Sequence, residues 1–262
     1  LPSLSFVSTA HAIMYNGGTP VFVDGEPDTL CIDPEEIKKK ISKKTKCIIP
    51  VHFGGIPADI KRIQKLSKSN VMIIEDAAHA CGSQYNGKKI GSHGDFVCFS
   101  FHPVKNLAMP TGGLISINNH NHKKMAEDLK SKRWCGISNR RHVDYDVDKI
   151  GWNFYMNEFS AAIGLAQLEK IQKMNNKRKS IAKIYEKELN TFRKIPFTKT
   201  CVYHLYWICV NDRQFFRKKL LEKGIETGTH YRPIHQMSFY KKSIKLPITE
   251  KIAKQIVTIP IH

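Results

Sequence analysis

The sequence predicts an α/β fold: a mostly parallel sheet in an α/β/α sandwich, followed by a smaller C-terminal α/β unit. Three observations carry that expectation. Apolar runs such as Cys47-Ile48-Ile49-Pro50-Val51 are continuous rather than alternating, the pattern of strands buried on both faces. Stretches of helical character separate these runs, so strand and helix alternate through the first half of the chain. The second half opens on a long helical run over residues 157–173 and then turns aromatic and strand-like over residues 202–210.

Taken in order, Val21-Phe22-Val23 reads as a short strand leading to Asp24. Asp33 is placed to cap a helix whose first helical residue is Pro34 and which runs to about Lys40. After the strand at 47–51 and the loop His52-Phe53-Gly54-Gly55, residues 57–69 read as a helix. Strands are expected at 71–75, 96–101 and 114–117, then a polar helix over 122–132. The helix at 157–173 has apolar or small residues at Phe159, Ala162, Ile163, Ala166 and Ile171, and a second, basic helix is expected at 177–189. Beyond the strand-like stretch at 202–210 lies a helix near 214–223, closed by Gly224-Ile225-Glu226-Thr227-Gly228. At 262 residues the chain suits a large domain, residues 1–172, with a small one, residues 173–262.

Composition narrows the function classes. Hydrophobic content of 41% and charged content of 25% are ordinary for a water-soluble protein. No apolar run approaches the ~20 residues of a membrane span, and no charged-then-apolar leader opens the chain. The seven cysteines form no C-x-x-C pair and read as buried free thiols, so a cytoplasmic location is expected. The formal charge of +19 comes from lysines spread over several helices, at Lys38-Lys39-Lys40, Lys43-Lys44, Lys61, Lys65, Lys68 and Lys218-Lys219. Nucleic-acid binding would want them on one surface with aromatic residues between, so it is not expected. Positive potential of this kind attracts an anionic small substrate. The chain starts at Leu1 without methionine and stops at His262, and is expected to be a fragment of a longer protein.

The chemistry concentrates in two segments. Glu75-Asp76-Ala77-Ala78-His79 ends an apolar strand, and Phe99-Ser100-Phe101-His102-Pro103-Val104-Lys105-Asn106 follows, with Lys105 29 residues after Asp76. A carboxylate ending one strand, then a serine and a lysine five residues apart on a second, is the set a pyridoxal 5′-phosphate site needs. The lysine forms a Schiff base with the aldehyde, the carboxylate keeps the pyridine nitrogen protonated, and the serine binds phosphate. Ligands of parallel sheets bind beyond the strand C-termini, where these residues fall. His120-x-His122 and His230-x4-His235 have no cysteine or carboxylate set to complete a metal site, and no metal is expected.

These segments, together with Gly112-Gly113, Asp28-Thr29-Leu30, Pro50-Val51-His52, Gly151-Trp152-Asn153-Phe154-Tyr155-Met156, Leu165-Ala166-Gln167-Leu168, His204-Leu205-Tyr206 and Gly224 to Tyr231, resemble the DegT/DnrJ-type sugar aminotransferases. The resemblance runs through the whole chain in order. It implies the fold-type-I pyridoxal-phosphate architecture and a homodimer as the working unit. It implies that Lys105 and Asp76 are catalytic, that Phe6 stacks on the cofactor ring and that Ser100 donates to its phosphate. His79 would pack near the ring on its O3′ side, and Asn153 would reach the phosphate held by a partner subunit. His230 and Tyr231 are expected to face the substrate, with His235 as a further candidate.

Pro2-Ser3-Leu4-Ser5-Phe6-Val7-Ser8-Thr9-Ala10 resembles the family segment that lays an aromatic ring on the cofactor. The glycine-led helix N-terminus that meets the phosphate upstream of it in the family is not in this sequence, and Tyr155 stands where the family often has arginine. Relatives in which histidine replaces the lysine are dehydratases; Lys105 is present here. The expected activity is therefore transfer of an amino group from L-glutamate to a keto sugar, nucleotide-linked, in amino-sugar biosynthesis. An amino-cyclitol transaminase and a non-catalytic basic binding protein with a vestigial cofactor site are the alternatives.

Overall fold

The computed structural model describes residues 1–67, 70–240 and 244–262. Its central sheet has the order β1-β2-β5-β6, from β1 (Cys47–Ile48), β2 (Met72–Asp76), β5 (Phe96–Ser100) and β6 (Gly113–Ile117). The first three strands are parallel, pairing Ile48 with Ile73 and Asp76 with Cys98, and β6 closes the sheet antiparallel to β5. An isolated parallel bridge from Val51 to Asp76 continues the line of β1. Between β2 and β5 the chain folds a small hairpin, β3 (Gln84–Tyr85) with β4 (Lys88–Lys89).

Helices α1 (Ser8–Tyr15), α2 (Pro34–Lys40) and α3 (Ile60–Leu66) belong to this half. Asp33 caps α2 by accepting from the Glu35 N–H at 2.8 Å, with Pro34 in the first turn, as its sequence predicts. Asp59 caps α3 by accepting from Arg62 N–H at 3.1 Å. The helix expected over 57–69 is shorter at its start because Asp59 is the cap, and Lys68 and Ser69 lie outside the described residues. Lys38, Lys39, Lys40, Lys61 and Lys65 are exposed on these two helices.

After β6 come α4 (His122–Arg133) and a hairpin of β7 (Ile137–Arg141) and β8 (Asp144–Val147). Then α5 (Glu158–Glu188) runs 31 residues without a break. Two helices, over 157–173 and 177–189, were expected here, and the residues between them continue the helix instead. Asn175 does not compete with its own backbone. Its side chain is buried and committed to distant partners, donating to Cys81 O at 3.1 Å and accepting from Asn106 Nδ2 at 2.9 Å. A division after residue 172 thus passes through the middle of a helix.

The remaining elements form an antiparallel sheet β11-β10-β9, from β9 (Arg193–Lys194), β10 (Tyr206–Cys209) and β11 (Ile256–Ile259), with α6 (Arg213–Leu221) and α7 (Pro247–Gln255) beside it. The strand expected over 202–210 is thus confined to Tyr206–Cys209, because residues 202–204 turn aside to meet the first half. Val23 makes only an isolated bridge to Pro2, so the strand expected at 21–23 does not form. One apolar core joins both halves: Phe53, Ile60, Ile63 and Ile73 pack in the same cluster as Tyr203, Trp207, Ile252 and Val257. Cys31 and Cys201 are buried in it, but Cys135, expected to be buried, is exposed in the turn after α4. Among the described residues no helix is long and apolar enough to cross a membrane.

Candidate active site

Asp76 ends β2, and its backbone is fixed from both sides. Its N–H donates to Pro50 O at 2.8 Å, its carbonyl accepts from His52 N–H at 3.1 Å, and the next N–H, of Ala77, donates to Cys98 O at 2.8 Å. Successive side chains of a strand point to opposite faces. Glu75 is therefore turned into the interior, fully buried, where Oε2 accepts from His52 Nε2–H at 2.8 Å and Oε1 accepts from Gly94 N–H. The tautomer follows from His52 Nδ1, which accepts from Ala58 N–H at 3.0 Å. Asp76 faces the other way and is half-buried. Each of its oxygens has one donor: Thr9 Oγ1–H to Oδ2 at 2.7 Å and Ala78 N–H to Oδ1 at 3.1 Å.

Lys105 reaches the same place from the loop after β5, in a turn closed by its N–H to His102 O at 2.8 Å. Burial lowers the affinity of its amine for a proton below that of an ordinary lysine, and the charge of nearby Asp76 opposes this in part. The next residue, Asn106, is buried and anchors the loop. Its Oδ1 accepts from His204 Nδ1–H at 2.9 Å, and its Nδ2 donates to Asn175 Oδ1 and to Val202 O. The lysine is thereby tied to α5 and to the 202–204 segment, which lie far away in sequence.

His79 stands over the cluster and is buried. Gly54 N–H donates to its Nδ1 at 3.3 Å, so Nε2 carries the proton and donates to Tyr231 Oη at 3.1 Å. Its ring lies 4.4 Å from that of His204 and stacks on Tyr231 at 6.1 Å. Burial first, and then the charges of His204 and Lys105, push the basicity of His79 well below its ordinary value; burial and Lys105 do the same to His204 and, less strongly, to His230. The Gly54-Gly55 turn has φ of +63° and +100°, and a Cβ on Gly55 would stand 3.0 Å from His79 O. Only glycine allows that approach.

The structure brings Asp76, His79, Lys105, His230 and Tyr231 into one cluster. Phe6 joins its edge, 58% exposed with its ring 6.2 Å from that of Tyr231, which excludes a core role for it. Ser100 ends β5, two residues beyond the one paired with Asp76, and its Oγ accepts from His102 N–H at 3.4 Å. His230 bonds Thr258 Oγ1 through Nδ1 at 2.7 Å. His235 is elsewhere, held by Ser3 Oγ at 2.6 Å and facing Glu250, and has a structural role. Asn153 is exposed and bridged to Trp134.

Thr9, Asn106 and Asn175 carry contacts that the sequence did not signal. The one cue for Asn106 is that it directly follows the lysine. The donor set fits pyridoxal phosphate: a half-buried amine of reduced basicity, a carboxylate beside it, and an exposed aromatic ring at the rim.

The DegT/DnrJ/EryC1/StrS aminotransferase family model matches residues 1–262. The chain is 35% identical over 268 residues to GDP-perosamine synthase of Escherichia coli O157:H7, covering 99% of this chain and 72% of that one. Among solved structures it is similar to PseC of Helicobacter pylori, an aminotransferase involved in the biosynthesis of pseudoaminic acid, with a TM-score of 0.91 and 31% identity over 100% of this chain and 73% of that one. It is also similar to the sugar aminotransferase CalS13 from Micromonospora echinospora, with a TM-score of 0.92 and 29% identity over 99% of this chain and 74% of that one.

His79 predicts an acid-side loss of stability. Its folded-state pKa lies below the unfolded one, so below about pH 6.5 the unfolded chain takes up a proton that the folded chain refuses, and stability falls with pH. Protonating Nδ1 also breaks the bond from Gly54. Denaturant titrations in steps from about pH 7.5 to about pH 5.5 should show this fall, and His79→Gln should reduce its slope by up to about 1.4 kcal/mol per pH unit. An unchanged slope in the variant contradicts the assignment of a neutral, buried His79.

Proposed function

Because the chain belongs to the DegT/DnrJ/EryC1/StrS aminotransferase family, whose members depend on pyridoxal phosphate, we propose that it moves an amino group from L-glutamate to a nucleotide-linked keto sugar. The observation that carries this reading is the half-buried Lys105 amine, of lowered basicity, beside the Asp76 carboxylate. The cofactor, when bound, draws electrons from the amino donor and so acidifies its Cα–H bond.

The chain's own residues supply the rest. Lys105 Nζ, free of its proton more readily than an ordinary lysine, takes up the donor's Cα proton and returns it. Asp76 holds a proton on the pyridine nitrogen through a charge-assisted hydrogen bond. Phe6 covers a ring face, Ser100 Oγ donates to the phosphate, and His79 packs beside the ring without adding charge. Tyr231 Oη, already accepting from His79, keeps its own proton to donate toward substrate, and His230 has Nε2 available. Glutamate leaves as 2-oxoglutarate.

A nucleotide carrier is supported by the relative that acts as a GDP-perosamine synthase and by the net charge of +19, which raises the local concentration of an anionic sugar nucleotide. Asn153 serves a cofactor held in a second subunit. Exposed Trp152, Phe154, Tyr155 and Phe159 surround it, at 60%, 69%, 50% and 84% exposure. An apolar surface of this kind marks an interface. Light scattering should give twice the mass of one chain, and Trp152→Glu should yield a monomer; a wild-type monomer contradicts the dimer.

The activity itself is read by absorbance. Pyridoxal phosphate added to the protein should produce a visible band that L-glutamate converts to a near-ultraviolet one, and Lys105→Ala should lack that conversion. A wild-type protein that binds the cofactor and ignores glutamate rules out this amino donor.

A further inference from the structure

We propose that Thr9 is a positioning residue for the cofactor, acting through Asp76; this rests on the reading that Asp76 meets the pyridine nitrogen. Thr9 lies in the first turn of α1, only 8% exposed, and its hydroxyl donates to Asp76 Oδ2 at 2.7 Å. A carboxylate offers no proton, so the direction of this bond is fixed. The Thr9 oxygen keeps a lone pair, which faces Ser5 Oγ at 3.4 Å; Ser5 is 2% exposed. The two hydroxyls thus form a short chain, Ser5 to Thr9 to Asp76, running from the interior to the site.

The other carboxylate oxygen accepts from Ala78 N–H at 3.1 Å, and the two donors come from different elements. One is a side chain of α1 and the other is the backbone of the turn after β2. Together they restrain rotation of the carboxylate about its Cβ–Cγ bond. Both partners donate to the carboxylate, so Asp76 presents acceptor oxygens toward the ring nitrogen. Thr9 N–H donates to Phe6 O at 3.3 Å, so the ring at the rim and the residue that orients Asp76 share one turn of chain. A shift of α1 therefore moves both together.

Thr9→Val keeps the shape and removes the donor. Its effect is read as the equilibrium affinity for pyridoxal phosphate, by fluorescence quenching or dialysis, with Thr9→Ser, Asp76→Ala and the Thr9→Val/Asp76→Ala pair alongside. Thr9→Val should weaken binding about tenfold, the scale of one hydrogen bond to a charged group. Thr9→Ser should restore it, and Thr9→Val should add nothing once Asp76 is alanine, since the effect passes through that side chain. Equal effects of Thr9→Val in both backgrounds, or no effect in either, overturn the proposal. If Asp76→Ala itself leaves affinity unchanged, the underlying reading of Asp76 fails instead. Should Thr9→Val not fold, Ser5→Ala, which removes the donor behind Thr9, should still weaken binding in the Asp76 background and leave it unchanged in Asp76→Ala.

Discussion

The parallel register of β2 and β5 is the constraint on which the site depends. Pairing Asp76 with Cys98 brings the ends of both strands to one edge of the sheet, so the carboxylate and the Ser100-to-Lys105 loop emerge side by side. A slip of one residue in β2 would exchange the two faces. Glu75 would then stand at the site, and Asp76 would enter an interior built to receive Glu75 through His52 and Gly94. Those interior hydrogen bonds make the slipped register costly, because a buried carboxylate without its donors is strongly unfavourable.

A second tie holds the lysine in place. Asn106 fastens the loop to Asn175 of α5 and to Val202 and His204, so the two halves of the molecule meet at the residue next to Lys105. Within α5, Asn175 is committed to this junction rather than to its own backbone. Burial that brings His79, His204 and Lys105 together also discourages protonation of each, so basic side chains share the site with less mutual repulsion than their number implies.

Much of this was legible in the sequence. Continuous apolar runs gave the parallel strands, Asp33-Pro34 gave a helix start, and the order Asp76, Ser100, Lys105 singled out residues that the sheet brings to one edge. What stayed hidden depends on distance in sequence. Asn175 falls in the gap between two expected helices, and its role shows only once its partner 69 residues away is placed. Thr9 looks like any early helical threonine until Asp76, 67 residues on, is placed beside it. His235 fits a substrate-facing pattern as well as His230 does; only its bonds to Ser3 and Glu250 separate the two.

The most direct test of the account is to reduce the cofactor-loaded protein with borohydride, digest it and locate the modified lysine by mass spectrometry. Reduction makes the lysine–cofactor bond permanent, so the label reports which amine held the aldehyde. With Lys105 as the Schiff-base residue, the phosphopyridoxyl group should appear on the peptide carrying Lys105, and on no other at comparable yield. Labelling centred on another lysine, or spread over the exposed lysines of α2 and α3, would contradict it.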